Sequence, residues 1–145
     1  MGTKYVSFFA LLGLLSLCGC GTERDHCRES IMSFYSAQAM MSDENLNIVQ
    51  LDKSQEKEMM SLIRSGIKQA ALVSDEYLDS IHPRMREEFR NHLVKGWSMY
   101  LSGLEQQGAL SGFKPQVDGI RLVKKWQAFK EEQSNLLFER VIRNR

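Results

Sequence analysis

The residues best able to do chemistry in this 145-residue sequence are three cysteines and three histidines. They are Cys18, Cys20, Cys27, His26, His82 and His92. A cysteine can act as a nucleophile, bind a metal ion, form a disulfide or accept a lipid, and a histidine can transfer a proton or bind a metal ion. The spacing of these residues, and the elements that carry them, decide which of these chemistries applies.

Glu88 and His92 have the spacing that comes closest to a metal site, because residues four apart lie on the same face of a helix. A protein zinc site needs three or four ligands, and no second histidine stands at a helical spacing to complete this one. The HExxH motif is also absent. We therefore expect no metal ion, and a surface salt bridge between Glu88 and His92.

The sequence contains no motif of covalent or phosphoryl-transfer catalysis. His26 next to Cys27 suggests an activated thiol, but neighbouring side chains on a helix point about 100° apart and do not meet. GxSxG and CxxC are missing, and so is a glycine-rich phosphate-binding loop. We expect a protein that is not an enzyme, with no catalytic residue and no cofactor.

The first 19 residues have the composition of an export signal. Met1 and Lys4 precede an uncharged, largely apolar block at residues 5–19. A membrane-spanning helix needs roughly 20 apolar residues, so a block of 15 is too short to be read as one. A short basic head followed by such a block is typical of a secretory signal peptide that is removed from the mature protein.

The end of this block carries more specific information. Leu17, Cys18, Gly19 and Cys20 resemble the lipobox of bacterial lipoproteins, an aliphatic residue and two small residues before an obligatory cysteine. The resemblance implies cleavage after Gly19, a diacylglycerol thioether on Cys20 and an acylated new amino terminus. It divides the chain into a signal peptide, residues 1–19, and a mature protein, residues 20–145, attached to a membrane through acyl chains on Cys20. Two or more such chains hold a protein stably at a bilayer.

Cys27 is then the only thiol of the mature chain. Cys18 leaves with the signal peptide and Cys20 becomes a thioether, so no disulfide can form within one chain. An odd cysteine in an exported protein is buried, paired with another chain or reactive. Two alternatives remain open for Cys27: burial on an apolar helix stripe, or an intermolecular disulfide that makes a homodimer.

The charge balance argues against nucleic acid as a partner. The whole chain has 19 Lys and Arg against 18 Asp and Glu, and removal of the signal peptide with Lys4 leaves 18 of each. A neutral domain has no electrostatic attraction for nucleic acid or for an anionic membrane surface. Membrane attachment therefore has to come from the acyl chains on Cys20.

Helical spacing of apolar residues dominates the mature chain and predicts four principal helices and one short helix. The predicted helices cover about residues 22–41, 52–73, 74–82, 83–107 and 118–143. Residues 42–52 are predicted to form a connector. The segment 108–119 is predicted to be a loop because it holds three glycines and a proline. We expect Thr22, Ser74 and Asp118 to cap helices and Pro83 to be the first residue of one.

These stripes predict one all-α domain, a small helical bundle. In the first helix the predicted inward residues are Cys27, Ile31, Phe34, Tyr35, Gln38 and Met41. In the fourth they are Met85, Phe89, Leu93, Trp97, Tyr100, Leu101 and Leu104, and in the last Leu122, Trp126, Phe129, Leu136, Leu137 and Val141. Aromatic residues at this spacing are expected to form a core rather than a ligand groove.

The lipobox resemblance also bears on location. Gly21 stands where enterobacterial lipoproteins retained in the inner membrane have an aspartate, which implies the periplasmic face of the outer membrane. In a source without outer-membrane sorting, the anchor would lie in the inner or plasma membrane. A helix that begins near Thr22 leaves two or three residues of tether, so the domain should lie against the bilayer.

Together these observations predict a membrane-anchored interaction or assembly-accessory module whose protein partner is associated with the same membrane. The design is similar to accessory lipoproteins of envelope machinery and to surface exclusion lipoproteins of mobile elements. Two alternatives make different structural predictions. A membrane-tethered periplasmic hydrolase requires His82 or His92 buried beside a carboxylate in a pocket. A small-ligand-binding lipoprotein requires an apolar cavity of roughly several hundred Å³ between the helices.

Overall fold

A computed structural model of the chain describes residues 21–41, 51–106 and 110–143. The described residues form helices joined by turns, with no strand among them, which confirms the predicted all-α class. The signal peptide, Cys20 and most of the predicted connector lie outside these residues. No helix in the described part of the chain has both the length and the apolar composition that a membrane crossing requires.

The first two helices begin at local hydrogen bonds, and the one at Thr22 confirms the predicted cap. Helix α1 spans Glu23–Met41, and α2 spans Lys53–Ala70. Before α1, the Thr22 amide donates to Oδ2 of Asp25 (3.1 Å) and the Asp25 amide donates to Oγ1 of Thr22 (3.2 Å). Before α2, Asp52 makes the same reciprocal pair with Gln55. Each pair satisfies amides that a helix start otherwise leaves without partners.

The third helix is short and ends before the proline. Helix α3 spans Asp75–Ile81, and the Ser74 hydroxyl accepts a hydrogen bond from the Tyr77 amide at its start (3.1 Å). His82 has extended backbone angles, as expected for a residue that precedes a proline. The prediction that Pro83 begins the next helix is wrong, because residues 83 and 84 form a turn and the next helix begins at Met85.

Helix α4 contains a π-helical stretch. It runs through three consecutive segments, Met85–Glu87, Glu88–Val94 and Lys95–Glu105, of which the second is π-helical. The inward residues Met85, Phe89, Leu93 and Trp97 are spaced four apart throughout. In a regular α-helix each four-residue step gains about 40°, so the first and last would point about 120° apart. The wider turn of a π-helix corrects this drift and keeps the four side chains facing the core.

The fifth helix overturns the prediction of a loop at 108–119 from residue 110 onward, whereas residues 108 and 109 lie outside the described residues. Helix α5 spans Leu110–Glu132 and therefore includes Pro115, Asp118 and Gly119. Asp118 does not cap a helix start: its Oδ1 accepts a hydrogen bond from Arg121 on the same helix (3.0 Å). After a break at Gln133, helix α6 comprises Ser134–Leu137 and the π-helical turn Phe138–Ile142.

Tertiary packing explains why glycine occurs inside α5. A Cβ built on Gly119 would collide with the carbonyl oxygen of Gly96 on α4, and a Cβ on Gly96 would lie 2.8 Å from the carbonyl oxygen of Gly119. The two glycines therefore let the backbones of α4 and α5 touch. The local rule that glycine marks a loop is overridden here by the close approach of two helices.

The bundle consists of two antiparallel hairpins. In the first, α1 packs against α2, with the Ser30 hydroxyl donating to the Gly66 carbonyl (2.8 Å). In the second, α4 packs against α5. The rings of Phe34 and Trp97 stack between the hairpins with centroids 6.0 Å apart. The core includes Cys27, Ile31, Phe34, Ala37, Met41, Met59, Ile63, Met85, Phe89, Leu93, Trp97, Tyr100, Val123, Trp126, Phe129, Leu137 and Val141.

The stripes are mostly in the predicted phase, although Gln38, Leu104 and Leu136 are only half-buried. At two further positions, which are the exceptions, a different residue from the predicted one is buried. In α1, Ala37 is buried whereas Tyr35 is 54% exposed, so the prediction that Tyr35 points inward is wrong. In α5, Val123 is buried and the neighbouring Leu122 is only half-buried. Both exceptions lie at an edge of an apolar stripe, where the position of the neighbouring helix decides which residue is covered.

Candidate functional site

The first turn of α1 is joined to two other elements. The Ser74 amide, in the α2–α3 turn, donates to Oε1 of Glu23 (2.6 Å). Hydrogen bonding from the Ser74 side chain and from this amide lowers the pKa of the Glu23 carboxyl. The Arg24 guanidinium donates to the carbonyl oxygens of Glu139 and Arg143 near the end of the chain. We call this region the N-terminal end: the first turn of α1, residues 71–74 and residues 138–143.

The N-terminal end exposes two large apolar side chains. Leu72 and Phe138 are each 53% exposed, although they lie on different elements. Leu72 is two residues before Ser74, and Phe138 is next to Glu139, so both are adjacent to the bonds that fix the start of α1. The other large apolar side chains that are exposed in the described part of the chain are on helix sides: Met32, Tyr35 and Val117.

A buried carboxylate that is hydrogen-bonded to a histidine and an arginine lies at the π-helical segment of α4. Glu88 is 7% exposed. Its Oε2 accepts a hydrogen bond from Nδ1 of His92 (2.6 Å), and its Oε1 accepts one from Nη2 of Arg84 (2.8 Å). Arg84 also contacts both carboxylate oxygens of Glu132 on α5 at 3.3 Å. We call these four residues the Glu88 network. It joins the start of α4 to the end of α5.

The electrostatics of the Glu88 network favour a permanent ion pair. Burial by itself raises the pKa of Glu88, but the hydrogen bonds from His92 and Arg84 outweigh it, and the pKa lies below its ordinary value. Glu88 therefore remains an anion at neutral pH and cannot serve as a general acid there. The predicted contact between Glu88 and His92 is confirmed, but the expectation of a surface pair is wrong for Glu88, which is buried.

The other histidines have separate partners. Nδ1 of His26 lies 2.7 Å from Oε1 of Gln69 on α2, not against Cys27. Nδ1 of His82 accepts a hydrogen bond from the Arg84 amide (3.1 Å), and its ring packs edge-on against Phe129 with centroids 5.5 Å apart. Each of these two histidines therefore contacts another helix of the bundle. The described residues contain no group of three or more His, Cys, Asp or Glu side chains that could hold a metal ion.

Cys27 lies in the core. Its side chain is 0% exposed, and burial raises the pKa of its thiol to about 12. A thiol with so high a pKa is almost entirely protonated near neutral pH and is a poor nucleophile. Of the two alternatives for this residue, the position in the core favours burial over a disulfide between two chains.

Two clefts among the described residues differ from the apolar cavity that a small-ligand carrier requires. A cleft lined by aromatic residues of α1, α4 and α5, including Phe34, Trp97 and Trp126, holds only about 20 Å³. A surface cleft of about 570 Å³ between α2 and α4 is lined mainly by charged side chains, Lys53, Glu56, Lys57 and Glu105, with Met60 and Leu104. None of these residues belongs to the Glu88 network.

Sequence reasoning missed two members of the Glu88 network. Arg84 was not expected to take part because it lies in the turn before α4, and Glu132 lies on a different helix, 44 residues after Glu88. The π-helical segment was missed as well. The strict four-residue spacing from Met85 to Trp97 is the signal that could have indicated it, because a regular α-helix prefers steps of three and four in alternation.

Comparison with known proteins identifies no relative. No protein-family model, no curated protein and no solved structure matches the chain. The functional argument therefore rests on the geometry described above and on the lipobox resemblance at residues 17–20.

Proposed function

We propose that this chain is a bacterial lipoprotein, anchored through acyl chains on Cys20, whose helical domain is a non-catalytic interaction module for a protein in the same membrane. The proposed location is the periplasmic face of the outer membrane. The inner or plasma membrane takes its place in a source without outer-membrane sorting.

The observation that carries this proposal is the position of the start of α1. Helix α1 begins at Glu23, three residues after Cys20, and the Thr22 and Asp25 bonds close its first turn. An extended residue spans at most about 3.6 Å, so the start of the helix lies within about 11 Å of the lipidated residue. The proposed anchor therefore holds the domain at the membrane surface and favours a partner in or on that membrane.

The bonds at the N-terminal end strengthen this argument. Because Glu23 binds the α2–α3 turn and Arg24 binds the end of the chain, the first turn of α1 is fixed to the bundle. The domain cannot move away from the anchor by unwinding a free N-terminal segment without breaking these bonds. Tether length and bundle packing thus favour one short distance from the bilayer.

Two measurements test the proposal. Palmitate labelling of the expressed chain should be strong for the wild type and absent for Cys20→Ser. Crosslinking in intact cells, followed by capture from detergent-solubilised membranes, should recover mainly integral or lipid-anchored membrane proteins. Unlabelled wild-type protein would contradict the anchor, and recovery of mainly soluble periplasmic proteins would contradict the proposed partner class.

A membrane-tethered hydrolase is the second candidate, and the Glu88 network is the observation in its favour. It places His92, whose side chain is 17% exposed, beside a buried carboxylate. Against it, both Glu88 oxygens are occupied by His92 and Arg84, and neither Glu88 nor His92 lines any of the clefts described above. Purified protein should hydrolyse no ester, phosphoester or peptide substrate. An activity present in the wild type and lost in His92→Ala would favour the hydrolase.

A further inference from the structure

The N-terminal end has the features of a surface that contacts lipid. It carries Leu72 and Phe138, each 53% exposed, on two different elements. Single exposed apolar side chains are common in folded proteins. What distinguishes these two is their place at the end of the domain where the chain leads to the proposed anchor on Cys20. Their position near the proposed anchor favours the bilayer itself as the partner that covers them.

We infer that Leu72 and Phe138 insert into the outer part of the bilayer to which Cys20 is attached, so that the N-terminal end is the membrane-facing surface of the domain. The inference rests on the proposed function, because it takes the lipid on Cys20 as given. It adds which residues touch the membrane and which end of the bundle points away from it.

Distances between the bonded groups support this orientation. The hydrogen bond from Ser74 to Glu23 holds the α2–α3 turn beside the start of α1, and Leu72 lies two residues, at most about 7 Å of chain, from Ser74. Phe138 is next to Glu139, whose carbonyl oxygen accepts from Arg24. Both side chains are therefore near the end of the domain that the short tether holds at the bilayer.

The charges near Leu72 and Phe138 are compatible with a membrane surface. Glu23 accepts a hydrogen bond from the Ser74 amide, and Glu139 forms an ion pair with Arg143 (2.9 Å). Lys68 and Arg140 are exposed, and neither has an ion-pair partner among the described residues; Glu76 on α3 is exposed as well. Long basic side chains can lie along apolar surface and keep their charge in the headgroup region.

The test places an environment-sensitive fluorophore at single introduced cysteines in the lipidated protein. The variants are Leu72→Cys and Phe138→Cys, each labelled with NBD. The control is Ser54→Cys at the start of α2, which is exposed and lies roughly 25 Å from the N-terminal end along that helix. Cys27 is buried and does not compete for the label. Each protein is reconstituted in vesicles of phosphatidylethanolamine and phosphatidylglycerol.

On reconstitution, NBD at positions 72 and 138 should become protected from quenching by iodide in the solvent, and its emission should shift to shorter wavelength. Lipids that carry a nitroxide near the headgroup should quench it. NBD at position 54 should keep its iodide quenching. Equal iodide quenching at all three positions, in protein that floats with the vesicles, would overturn this inference while leaving the anchor intact.

Two further outcomes would also overturn it. Shielding of positions 72 and 138 that appears only when membrane proteins are added would assign the surface to a protein partner. Protein that carries no palmitate and does not float would remove the anchor and this inference together. Palmitate labelling and flotation therefore separate failure of the proposed function from failure of the membrane-contact surface.

Discussion

Glu88 shows how a charge is accommodated inside a small helical bundle. A buried carboxylate is unfavourable unless it is paired and hydrogen-bonded, and here each carboxylate oxygen has its own donor, His92 for one and Arg84 for the other. Because Arg84 also binds Glu132, the pair joins two helices at the point where α4 begins. Glu88 therefore stabilises a tertiary contact rather than a reaction.

This role predicts a pH dependence of stability with a definite sign. The pKa of Glu88 in the folded protein is below its ordinary value of 4.5, so its contribution is complete above about pH 4.5 and is lost as the pH falls through the folded-state value. Glu88→Gln should lower the free energy of unfolding at pH 7 by about 1.5–3 kcal/mol, the range for a hydrogen bond to a charged group. The difference from wild type should shrink at pH 3.

Urea unfolding followed by circular dichroism at pH 7, 5, 4 and 3 measures this difference. Glu131→Gln is the matched control, because Glu131 is exposed on α5 and takes part in no hydrogen bond or ion pair shown by the structure. That variant should follow the wild type at every pH. A constant difference between Glu88→Gln and wild type across the series would show that ionisation of Glu88 does not contribute to stability.

Cys27 gives a second prediction at the scale of a residue. Burial and a pKa near 12 should make the thiol unreactive toward Ellman's reagent in the folded protein at pH 8, and fully reactive in denaturant. On a non-reducing gel the wild type and Cys27→Ser should migrate alike as monomers. A band at twice the mass that appears only with the wild type would instead support the disulfide-linked homodimer.

At the scale of elements, the crossing of α4 and α5 depends on two glycines. Gly119→Ala gains up to about 1 kcal/mol of helix propensity, but its Cβ would collide with the backbone oxygen of Gly96. Overpacking of this kind lowers the free energy of unfolding by about 1–3 kcal/mol. A backbone oxygen cannot relieve the collision by changing rotamer, as a side chain can. We expect Gly119→Ala to lower the melting temperature.

Differential scanning calorimetry measures this change, with Lys125→Ala as the control on the same helix, because Lys125 is exposed and has no contact that the structure shows. Lys125→Ala should leave the melting temperature unchanged. If Gly119→Ala is as stable as the wild type, α4 and α5 can move slightly apart with little loss of the free energy of unfolding.

The π-helical segment leads to a prediction about chain length. Deletion of the exposed Asn91 changes the spacing of the inward residues Met85, Phe89, Leu93 and Trp97 from four, four and four to four, three and four. A regular α-helix accommodates that pattern on one face. The variant should therefore fold cooperatively with an α-helical segment in place of the π-helix, whereas deletion of Ser98 from the α-helical part should rotate Tyr100 and Leu101 out of the core.

Thermal unfolding followed by circular dichroism compares the two deletions. A sharp transition for the Asn91 deletion and a broad or absent one for the Ser98 deletion is expected. Equal destabilisation by both deletions would show that the π-helical segment has a structural role other than keeping the four inward residues on one face of the helix.

The elements differ in how much of their structure the sequence could predict, and the difference follows the range of the interactions involved. The starts of α1, α2 and α3 depend on side chains within three residues, and all three were predicted near their observed positions. The first half of α5 depends on Gly119 meeting Gly96, a contact between distant residues, and a loop was predicted instead. Propensity reports only local preference, and here tertiary packing overrides it.

The candidate sites follow the same division. Burial of Cys27, one of the two alternatives for that residue, and the contact of Glu88 with His92 were both expected because each follows from helical spacing on a single element. Arg84 and Glu132 were missed because they join the Glu88 network from a turn and from another helix. Leu72 and Phe138 were missed as well, because their place at the N-terminal end depends on the bonds made by Glu23 and Arg24.

At the scale of the whole molecule, the two hairpins pack against each other through the aromatic core. The rings of Phe34 and Trp97 stack in the core, and those of Phe89 and Trp126 pack edge-on. At the end of the described chain, the carbonyl oxygen of Arg143 accepts a hydrogen bond from Arg24. The start and the end of the described chain therefore lie at the same end of the bundle. A lipid on Cys20 would hold this end, and the opposite end, with Asp52 and Glu105, would point away from the membrane.

This arrangement predicts that the length of the tether determines which proteins the domain meets. A 20-residue glycine and serine linker inserted between Gly21 and Thr22 would add a mean reach of roughly 25 Å. It should leave palmitate labelling and melting temperature unchanged, since the Thr22 and Asp25 bonds remain. Crosslinks to integral or lipid-anchored proteins should decrease, and those to soluble periplasmic proteins should increase. The same linker added after Arg145 should change neither class, and an identical crosslinking pattern for both insertions would contradict a partner selected by proximity to the membrane.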